Sequence, residues 1–312
     1  MSLRIGIVGM GWVGSSVAIS TLHAGIASEL LVNDVREGLA KGEALDLEQG
    51  VSFYPSARVR AASLDQMRDL DAVVIAAGRG GRPGQSRLDL LRDNVGMVRS
   101  VARRLAGLRG LLVMVTNPVD VLTQVAAEAS GLPVERVIGT GTMLDTARLR
   151  QILGRELELE PRSIHAQVIG EHGDSEVALW SGARIGGVAL RAWPGWTRQR
   201  EQAVGAEVRD AALEIIKRKG ATNHAIGLVT AALLRWALRG ERRVLTVSRV
   251  QTGACGIDGV ALSLPAVVSR AGATEILEPS MDDDERARLC ASADVLRRAY
   301  AAAVEDSTAR PE

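Results

Sequence analysis

A histidine in a glycine-flanked loop is the first candidate for acid–base chemistry in this sequence. His172 lies in the segment Ile-Gly-Glu-His-Gly-Asp-Ser, after an apolar run that predicts a strand, so its imidazole can reach a cleft. An imidazole exchanges protons near neutral pH, which suits it to act as a general acid or base. A loop or core histidine without a catalytic role is the alternative when the residue is considered alone.

An aspartate and an arginine three residues apart form the second candidate group. Asp145 and Arg148 lie in the predicted helical segment Leu-Asp-Thr-Ala-Arg, and residues at this spacing project from the same face of a helix. The carboxylate could orient an imidazole while the guanidinium holds an anion. An ordinary intrahelical ion pair is the alternative for these two residues taken alone.

A glycine-rich turn near the N-terminus predicts a dinucleotide site. Gly9, Gly11 and Gly14 fit the pattern G-x-G-x-x-G between a predicted strand and a predicted helix, and Asp34 follows at the end of the second predicted strand. The first glycine permits a tight turn, the second lets the backbone approach a pyrophosphate, and the third allows close packing of helix on strand. The Asp34 carboxylate would accept hydrogen bonds from a ribose diol and repel a 2′-phosphate, which predicts NAD rather than NADP.

The elements that position these residues alternate between strand and helix through the first half of the chain. Strands are predicted at 3–8, 30–32, 72–76, 111–115 and 137–138, with helices at 15–24, 88–105 and 119–129. This order predicts an α/β fold with a Rossmann doubly wound parallel sheet. Later helix-like segments (145–153, 197–219, 222–238 and 283–303) and strand-like segments (163–169, 244–250 and 259–264) predict an α+β substrate domain. The expected division is 1–141 for the nucleotide and 142–312 for the substrate and catalysis.

Composition excludes several classes of function. Of 312 residues, 38 are Lys or Arg and 37 are Asp or Glu, so no net field would hold the protein on nucleic acid or a membrane surface. Hydrophobic residues make up 46%, enough for a sizeable core, whereas aromatic residues make up 3%, too few for base-stacking surfaces. Cys255 and Cys290 lack a C-x-x-C spacing, so no disulfide framework or metal site is predicted. The first apolar run is too short for a signal peptide, and no stretch is long enough to span a membrane, which predicts a cytoplasmic protein.

Together these residues resemble the L-lactate/L-malate dehydrogenase family, from about residue 4 to residue 303. The resemblance is carried by GMGWVG at 9–14, PGQSRLDL at 83–90, TNPVD at 116–120, GTGTMLDTAR at 139–148, GEHGDSE at 170–176 and KGAT at 219–222. It implies NAD-dependent interconversion of an L-2-hydroxy acid and a 2-oxo acid, with the bacterial L-lactate dehydrogenases as the most similar branch. Malate dehydrogenase is the alternative within the family. A non-catalytic NADH-binding sensor is the alternative of another class, but it would require the loss of catalytic groups that are all present.

The resemblance also implies a role for individual residues. His172 would exchange a proton with the substrate oxygen, Asp145 would fix the imidazole tautomer, and Arg148 would bind the substrate carboxylate. Arg87, on a loop, would close over the site and polarise the carbonyl. The further substrate contacts implied are Asn117, Thr222 and Gly81. The cofactor contacts implied are Gly9, Gly11, Val13, Gly14, Asp34, Gly78, Ser100, Val115, Asn117 and Thr140.

One position of the predicted substrate loop departs from the family pattern. Six residues before the loop arginine, lactate enzymes carry glutamine and malate enzymes carry arginine, whereas this chain has Gly81. The glycine either merely loosens the loop or opens a wider pocket for longer or branched 2-oxo acids. Arg79 or Arg82 could instead reach a dicarboxylate, which keeps malate open. His224 is expected to pack on a helix or, if it faces the pocket, to contact an unusual substrate.

A regulatory site and an oligomer are also implied by the resemblance. Arg150 and His165 match an arginine and a histidine of bacterial lactate dehydrogenases that fructose 1,6-bisphosphate activates. Such cations would repel their symmetry mates across an interface, and a doubly phosphorylated sugar would relieve the repulsion. A surface arginine and a strand histidine are the alternative. The family implies a homotetramer or a dimer, and the absence of the N-terminal arm of animal lactate enzymes weakens the expectation of an interlocked tetramer.

Overall fold

The computed structural model describes residues 2–79 and 87–304. The elements of the first half are β1 (Arg4–Val8), α1 (Trp12–His23), β2 (Glu29–Asn33), α2 (Glu37–Gln49), β3 (Arg58–Ala61), β4 (Ala72–Ile75), α3 (Arg87–Arg104), β5 (Leu111–Met114), α4 (Val119–Ser130) and β6 (Val137–Gly139). Those of the second half are α5 (Met143–Leu157), β7 (Ile164–His165), β8 (Val168–Ile169), β9 (Val177–Ala178), β10 (Arg184–Ile185), β11 (Val188–Ala189), α6 (Arg198–Lys219), α7 (His224–Leu238), β12 (Arg243–Thr252), β13 (Asp258–Ser269), β14 (Gly272–Ile276) and α8 (Asp283–Val304). The predicted fold class, a Rossmann sheet followed by an α+β half, is confirmed.

One sheet of nine strands runs through both halves in the order β14-β13-β12-β6-β5-β4-β1-β2-β3. The six strands of the first half, in the order β6-β5-β4-β1-β2-β3, all pair in parallel. The strands β12 to β14 then extend the sheet in antiparallel pairing, and Ser248 of β12 lies opposite Gly139 of β6. The sheet therefore continues across the predicted boundary between residues 141 and 142.

The central strands are short apolar runs because both faces of the sheet are covered. All residues of β4 and β5 are buried, which is typical of parallel strands between two helical layers. The carboxyl ends of β1, β4, β5 and β6 meet at one edge, where ligands bind in open α/β sheets. The predicted nucleotide residues mostly follow these strand ends.

Helix α7 of the second half packs closely on α1 of the first. A Cβ atom at Gly227 would lie 2.6 Å from the Ser16 carbonyl oxygen, so only a glycine permits this approach. The Asn223 side-chain amide also donates a hydrogen bond of 2.9 Å to the Ser16 hydroxyl. These contacts hold the segment before α7 beside the helix that follows the glycine turn.

Six elements of the structure were not predicted, namely α2, β3, β14 and the two-residue strands β9, β10 and β11, and one predicted strand is divided. Helix α2 has only Ala40 and Ala44 fully buried, β3 has only Val59 buried, and β14 begins at a glycine, so none has a strong apolar period. The predicted strand 163–169 consists of two short strands, β7 and β8. None of the helices described here is both long and apolar enough to cross a membrane.

Candidate active site

The glycine turn after β1 has the shape of a pyrophosphate cradle. Gly9 has a φ of +95°, and a Cβ atom there would lie 2.4 Å from the Cα atom of Ala77. A Cβ atom at Gly14 would lie 1.8 Å from the Gly9 carbonyl oxygen, so this position also requires glycine for packing. A Cβ atom at Gly11 would meet nothing within 4 Å, which leaves open space in front of the turn. The backbone therefore fits a ligand that approaches at Gly11.

The N-terminus of α1 adds electrostatic complementarity to the cradle. Gly11 precedes the first residue of the helix, and no side chain caps the free N–H groups of its first turn. Free N–H groups and the helix dipole stabilise a phosphate at such a position. The residues present therefore fit the pyrophosphate of a dinucleotide.

Asp34 lies at the end of β2, where the sequence predicts a ribose contact. One carboxylate oxygen accepts a hydrogen bond of 2.9 Å from the Met10 backbone N–H. The other accepts a hydrogen bond of 3.0 Å from the Arg36 backbone N–H. A carboxylate oxygen can accept more than one hydrogen bond, so a ribose diol can still bind. Asp34 thus also fixes the glycine turn, a contact that the motif alone did not reveal.

Most of the other predicted cofactor residues lie at the same edge of the sheet. A Cβ atom at Gly78 would lie 2.7 Å from the Thr116 side chain, so the segments after β4 and β5 are in contact. Val115 and Thr140 are buried at the ends of β5 and β6, whereas Asn117 is exposed after β5. Val13, half-buried, is the second residue of α1.

Ser100 is the exception among the predicted cofactor residues. It is exposed on α3, six residues beyond Asn94, which corresponds to about 9 Å along a helix axis. The Asn94 side chain accepts a hydrogen bond of 2.9 Å from the Arg79 backbone N–H and so lies next to the cofactor edge. Within the described ranges, Ser100 makes no hydrogen bond to the loops of that edge.

His172, Asp145 and Arg148 form one connected group. The Nδ1 atom of His172 lies 2.5 Å from one Asp145 carboxylate oxygen, and the Nη1 atom of Arg148 donates a hydrogen bond of 2.7 Å to the other. The intrahelical ion pair that the spacing allows is therefore present, and the same carboxylate also orients the imidazole. With Nδ1 directed at Asp145, Nε2 is the ring nitrogen left to meet a substrate.

Small side chains fix the loop that carries His172. Gly170 has a φ of +85°, and a Cβ atom there would lie 2.9 Å from the Ser292 hydroxyl oxygen of α8. The same hydroxyl accepts a hydrogen bond of 2.9 Å from the Glu171 backbone N–H. Gly170 also exchanges two backbone hydrogen bonds of 2.9 Å with Ser263 of β13. The loop is thus held by a strand and a helix of the second half.

Asp120 holds the same loop from the first half, a role that the sequence reasoning missed. It lies in the first turn of α4 and is buried, and it accepts a hydrogen bond of 2.8 Å from the His172 backbone N–H. Burial is the largest influence and raises the pKa of Asp120 to about 6, although the nearby Ser248 hydroxyl and His172 favour the carboxylate. An acid in a helix buried on all sides requires a partner, and this was the available signal.

The surroundings of His172 favour its charged form. Burial by itself lowers the pKa, but the charge and hydrogen bond of Asp145, together with the charge of Asp120, outweigh burial and raise the pKa to about 9. The positive charge of Arg148 opposes this only in part. The imidazole can therefore carry a proton at neutral pH and release it at moderately alkaline pH.

The predicted substrate residues are described only in part. Thr222 is half-buried between α6 and α7, whereas His224 is exposed, so the expectation that His224 packs on a helix was wrong. Arg87 is the first residue of α3; its side chain, and all of Gly81 and Arg82, lie outside the described residues. The Arg79 guanidinium is mostly exposed, with Nη1 3.6 Å from a carboxylate oxygen of Asp93 on α3.

Arg150 and His165 line one surface pocket together. The pocket is also lined by Arg184 and Ser280, and Arg184 lies opposite His165 in the pairing of β10 with β7. Arg150 donates a hydrogen bond of 2.9 Å from Nε to the Ala166 carbonyl oxygen, which leaves its other N–H groups for a ligand. Arg184 is a further basic residue of this pocket that the sequence reasoning did not name.

Comparison with known protein families gives the same assignment for both halves. The description "lactate/malate dehydrogenase, NAD binding domain" matches residues 3–139, and "lactate/malate dehydrogenase, alpha/beta C-terminal domain" matches residues 142–306. The chain belongs to the lactate/malate dehydrogenase family. It is an oxidoreductase that acts on a 2-hydroxy acid with NAD as cofactor, as the sequence predicts.

Individual relatives extend over nearly the whole chain. The L-lactate dehydrogenase of Geobacillus thermodenitrificans is 42% identical over 290 residues, covering 91% of this chain and 92% of the relative. That of Kosmotoga olearia is 40% identical over 320 residues, covering 99% of each. The crystal structure of the minor L-lactate dehydrogenase from Enterococcus mundtii has a TM-score of 0.94 at 36% identity and covers 100% of this chain and 99% of that one.

Proposed function

We propose that this family member is an L-lactate dehydrogenase that reduces pyruvate to L-lactate and catalyses the reverse oxidation. The observation that carries the proposal is the Asp145 carboxylate, which bonds the His172 imidazole through one oxygen and the Arg148 guanidinium through the other. A proton donor and a carboxylate-binding group are thereby held side by side. Relatives named L-lactate dehydrogenase support pyruvate as the substrate.

His172 provides the proton for the reaction. When bound, NADH supplies the hydride that reduces the substrate carbonyl. His172 then donates its Nε2 proton to the substrate oxygen in the reduction and accepts it in the oxidation. Asp145 holds the tautomer and stabilises the imidazolium, and Asp120 holds the backbone of the same residue in place. Because the pKa of His172 is raised to about 9, the proton is available at neutral pH.

Arg148 orients the substrate through its carboxylate. Its side chain is only 14% exposed, so a bound carboxylate would be largely removed from water. One N–H group is used by Asp145, and the planar guanidinium retains further donors for a paired contact with two carboxylate oxygens. Arg87, Thr222 and Asn117 complete the proposed substrate contacts.

The decisive experiment measures NADH oxidation against pyruvate, oxaloacetate, phenylpyruvate and 2-oxoisocaproate over a range of pH. We expect pyruvate to give the highest kcat/KM, and the reduction to decline as the pH rises through about 9, because His172 then loses its proton. Lactate oxidation should rise over the same interval. A preference for phenylpyruvate would mean that the substrate is a bulkier 2-oxo acid than pyruvate and that the glycine at position 81 leaves the pocket open. A preference for oxaloacetate would favour malate dehydrogenase and an arginine near residue 81.

We further propose that the pocket of Arg150 and His165 binds fructose 1,6-bisphosphate and that the protein is a homodimer or homotetramer. The two arginines Arg150 and Arg184 and the imidazole of His165 around one pocket support an anionic effector. Exposed apolar side chains such as Phe53 on the turn after α2 and Leu213 on α6 support association of subunits. Light scattering with and without the sugar bisphosphate tests the oligomeric state, and the rate measured against pyruvate concentration, with and without the sugar, tests the effector. A monomer would contradict the first proposal, and a saturation curve for pyruvate that the sugar leaves unchanged would contradict the second.

We also propose that nucleotide binding and catalysis are divided between two domains that meet near residue 141. The nucleotide is bound by 1–141, and the proton donor and carboxylate-binding groups are supplied by 142–312. The family descriptions that meet between residues 139 and 142 support this division.

A further inference from the structure

A second buried acid lies beside the proposed proton donor, and the mechanism does not use it. Glu176 follows the His172 loop and immediately precedes β9, and it is 3% exposed. Its backbone N–H donates to the Gly173 carbonyl oxygen, but its carboxyl makes no hydrogen bond or ion pair with any described residue. A buried carboxyl without such partners favours the neutral form.

The groups around Glu176 form a compact cluster of charges. Asp145 and Arg148 act on it from α5, His172 from its own loop and Arg209 from α6. Both oxygens of Asp145 are already bonded, to His172 and to Arg148. Glu176 is therefore the acid of this cluster that can gain or lose a proton without breaking a hydrogen bond to its neighbours.

The other charged groups near β9 include Glu285, Glu171 and Arg288. Glu285 of α8 accepts a hydrogen bond of 2.9 Å from the Ser181 backbone N–H. Glu171 accepts hydrogen bonds from Ser175 on the same loop. Arg288 of α8 lines the neighbouring pocket together with Arg209. These residues leave Asp145, His172, Arg148 and Arg209 as the groups that set the charge of Glu176.

Burial raises the pKa of Glu176 to about 8, and the charge of Asp145 adds to the effect, while His172, Arg209 and Arg148 oppose it. The substrate is an anion, and it brings one more negative charge to Arg148. An ionised Glu176 repels that charge and offsets part of the positive charge of Arg148, whereas a neutral Glu176 does neither. Binding of the substrate and protonation of Glu176 must therefore favour each other.

We propose that Glu176 is a positioning residue whose neutral form is required for a 2-oxo acid to bind at Arg148, so that substrate binding takes up a proton at Glu176 as well as at His172 in alkaline solution. The inference rests on the proposed function, because it takes Arg148 as the carboxylate site. It predicts a second proton in the binding step, whereas the His172–Asp145 pair alone would take up one.

The test is calorimetric titration of the NADH-bound enzyme with oxamate, an amide analogue of pyruvate, in buffers of different ionisation enthalpy. Proton uptake by the wild type should exceed one per site between about pH 8.5 and pH 9.5, because two groups with raised pKa values are protonated on binding. In Glu176→Gln, which mimics the neutral acid, uptake should not exceed one. The oxamate Kd should then weaken toward a hundredfold per pH unit in the wild type and tenfold in the variant.

Two further variants make the result specific. Arg209→Gln removes a charge that lowers the pKa of Glu176, so the second proton should be taken up at higher pH. Asp210→Asn removes an exposed carboxylate next to Arg209 on the same helix and should behave as the wild type.

Each outcome has a distinct meaning. Equal proton uptake by the wild type and by Glu176→Gln would overturn the role of Glu176, as would loss of oxamate binding by the folded variant at pH 6.5. Failure of the wild type to bind oxamate at any pH would instead contradict the proposed function. Thermal denaturation of each variant shows whether it is folded, and Arg209→Gln keeps the proposal testable if Glu176→Gln is not.

Discussion

The cofactor cradle and the proton-transfer site lie at the same edge of one sheet, but they are constructed differently. The cradle is a short stretch of backbone in which Gly9 and Gly14 meet each other and Gly11 leaves a space. The proton-transfer site is a set of side chains from α4, α5 and the His172 loop, joined by hydrogen bonds. A ligand that is recognised by its phosphates needs only local backbone, whereas a proton donor needs partners from distant parts of the chain.

The largest expected effect is at the proton-transfer site. Replacement of His172 by Asn should lower kcat for pyruvate reduction about 10²- to 10⁴-fold, because the general acid is removed. The NADH Kd should change little, since the cradle is constructed from other residues. Steady-state kinetics and fluorescence titration with NADH measure the two effects, and an unchanged kcat would refute the assignment of His172.

At the cradle we expect the reverse pattern, in which NADH binding is the property that a substitution weakens. Gly11→Ala should fold normally but bind NADH about tenfold more weakly, a loss of about 1.4 kcal/mol, because the methyl group enters the open space. Gly14→Ala should instead lower the free energy of unfolding by at least about 1–3 kcal/mol, because its Cβ atom overlaps the Gly9 carbonyl oxygen. Denaturant titration and NADH binding separate the two. Equal behaviour of the variants would mean that Gly11 does not face the cofactor.

Asp120 tests whether the two sites are independent, because it lies in the first half and contacts His172. Asp120→Asn should lower kcat/KM about tenfold, the scale of a weakened hydrogen bond to a charged group. The charge of Asp120 raises the pKa of His172, so its removal should move the alkaline decline of pyruvate reduction to lower pH. The pH profile of kcat/KM measures this shift, with Asp294→Asn as an exposed control on α8. A profile that stays in place would leave Asp120 with a purely structural role.

The smallest expected effect is at Asp34. Its replacement by Ser should weaken NADH binding about fivefold, the equivalent of one hydrogen bond of about 1 kcal/mol, and narrow the preference over NADPH. Part of the loss should come from the Met10 contact, which steadies the turn. Parallel titrations with NADH and NADPH provide the ratio of the two dissociation constants, which measures the preference. An equal affinity of the wild type for both cofactors would contradict a discriminating role for Asp34.

The difference between the two regions also explains how far the sequence could be interpreted. The turn at 9–14 was predictable because its requirements are local and each glycine has a separate steric reason. His172, Asp145 and Arg148 could be singled out by residue type, but only the resemblance to a family connected them. Asp120 stands in a quoted motif, yet its contact with His172 depends on a helix and a loop 52 residues apart.

The fold shows the same limit. Strands such as β4 and β5 were predicted because all of their residues are apolar and buried. Helix α2 and strand β3 lie at the outer edge of the structure with few buried residues, so their sequences contain little apolar periodicity. No local pattern indicated that β12 would pair with β6, because that pairing joins segments more than 100 residues apart.

The pairing of β12 with β6 restricts how the two halves could be exchanged between proteins. An isolated first half would end at β6 with the backbone groups of a sheet edge unpaired, and such an edge readily joins strands of other chains. A transplanted nucleotide half would need both a β6 that accepts Ser248 opposite Gly139 and an α1 that leaves room for Gly227. The two halves of this enzyme are therefore not interchangeable cassettes, and variation in one is constrained by the surface of the other.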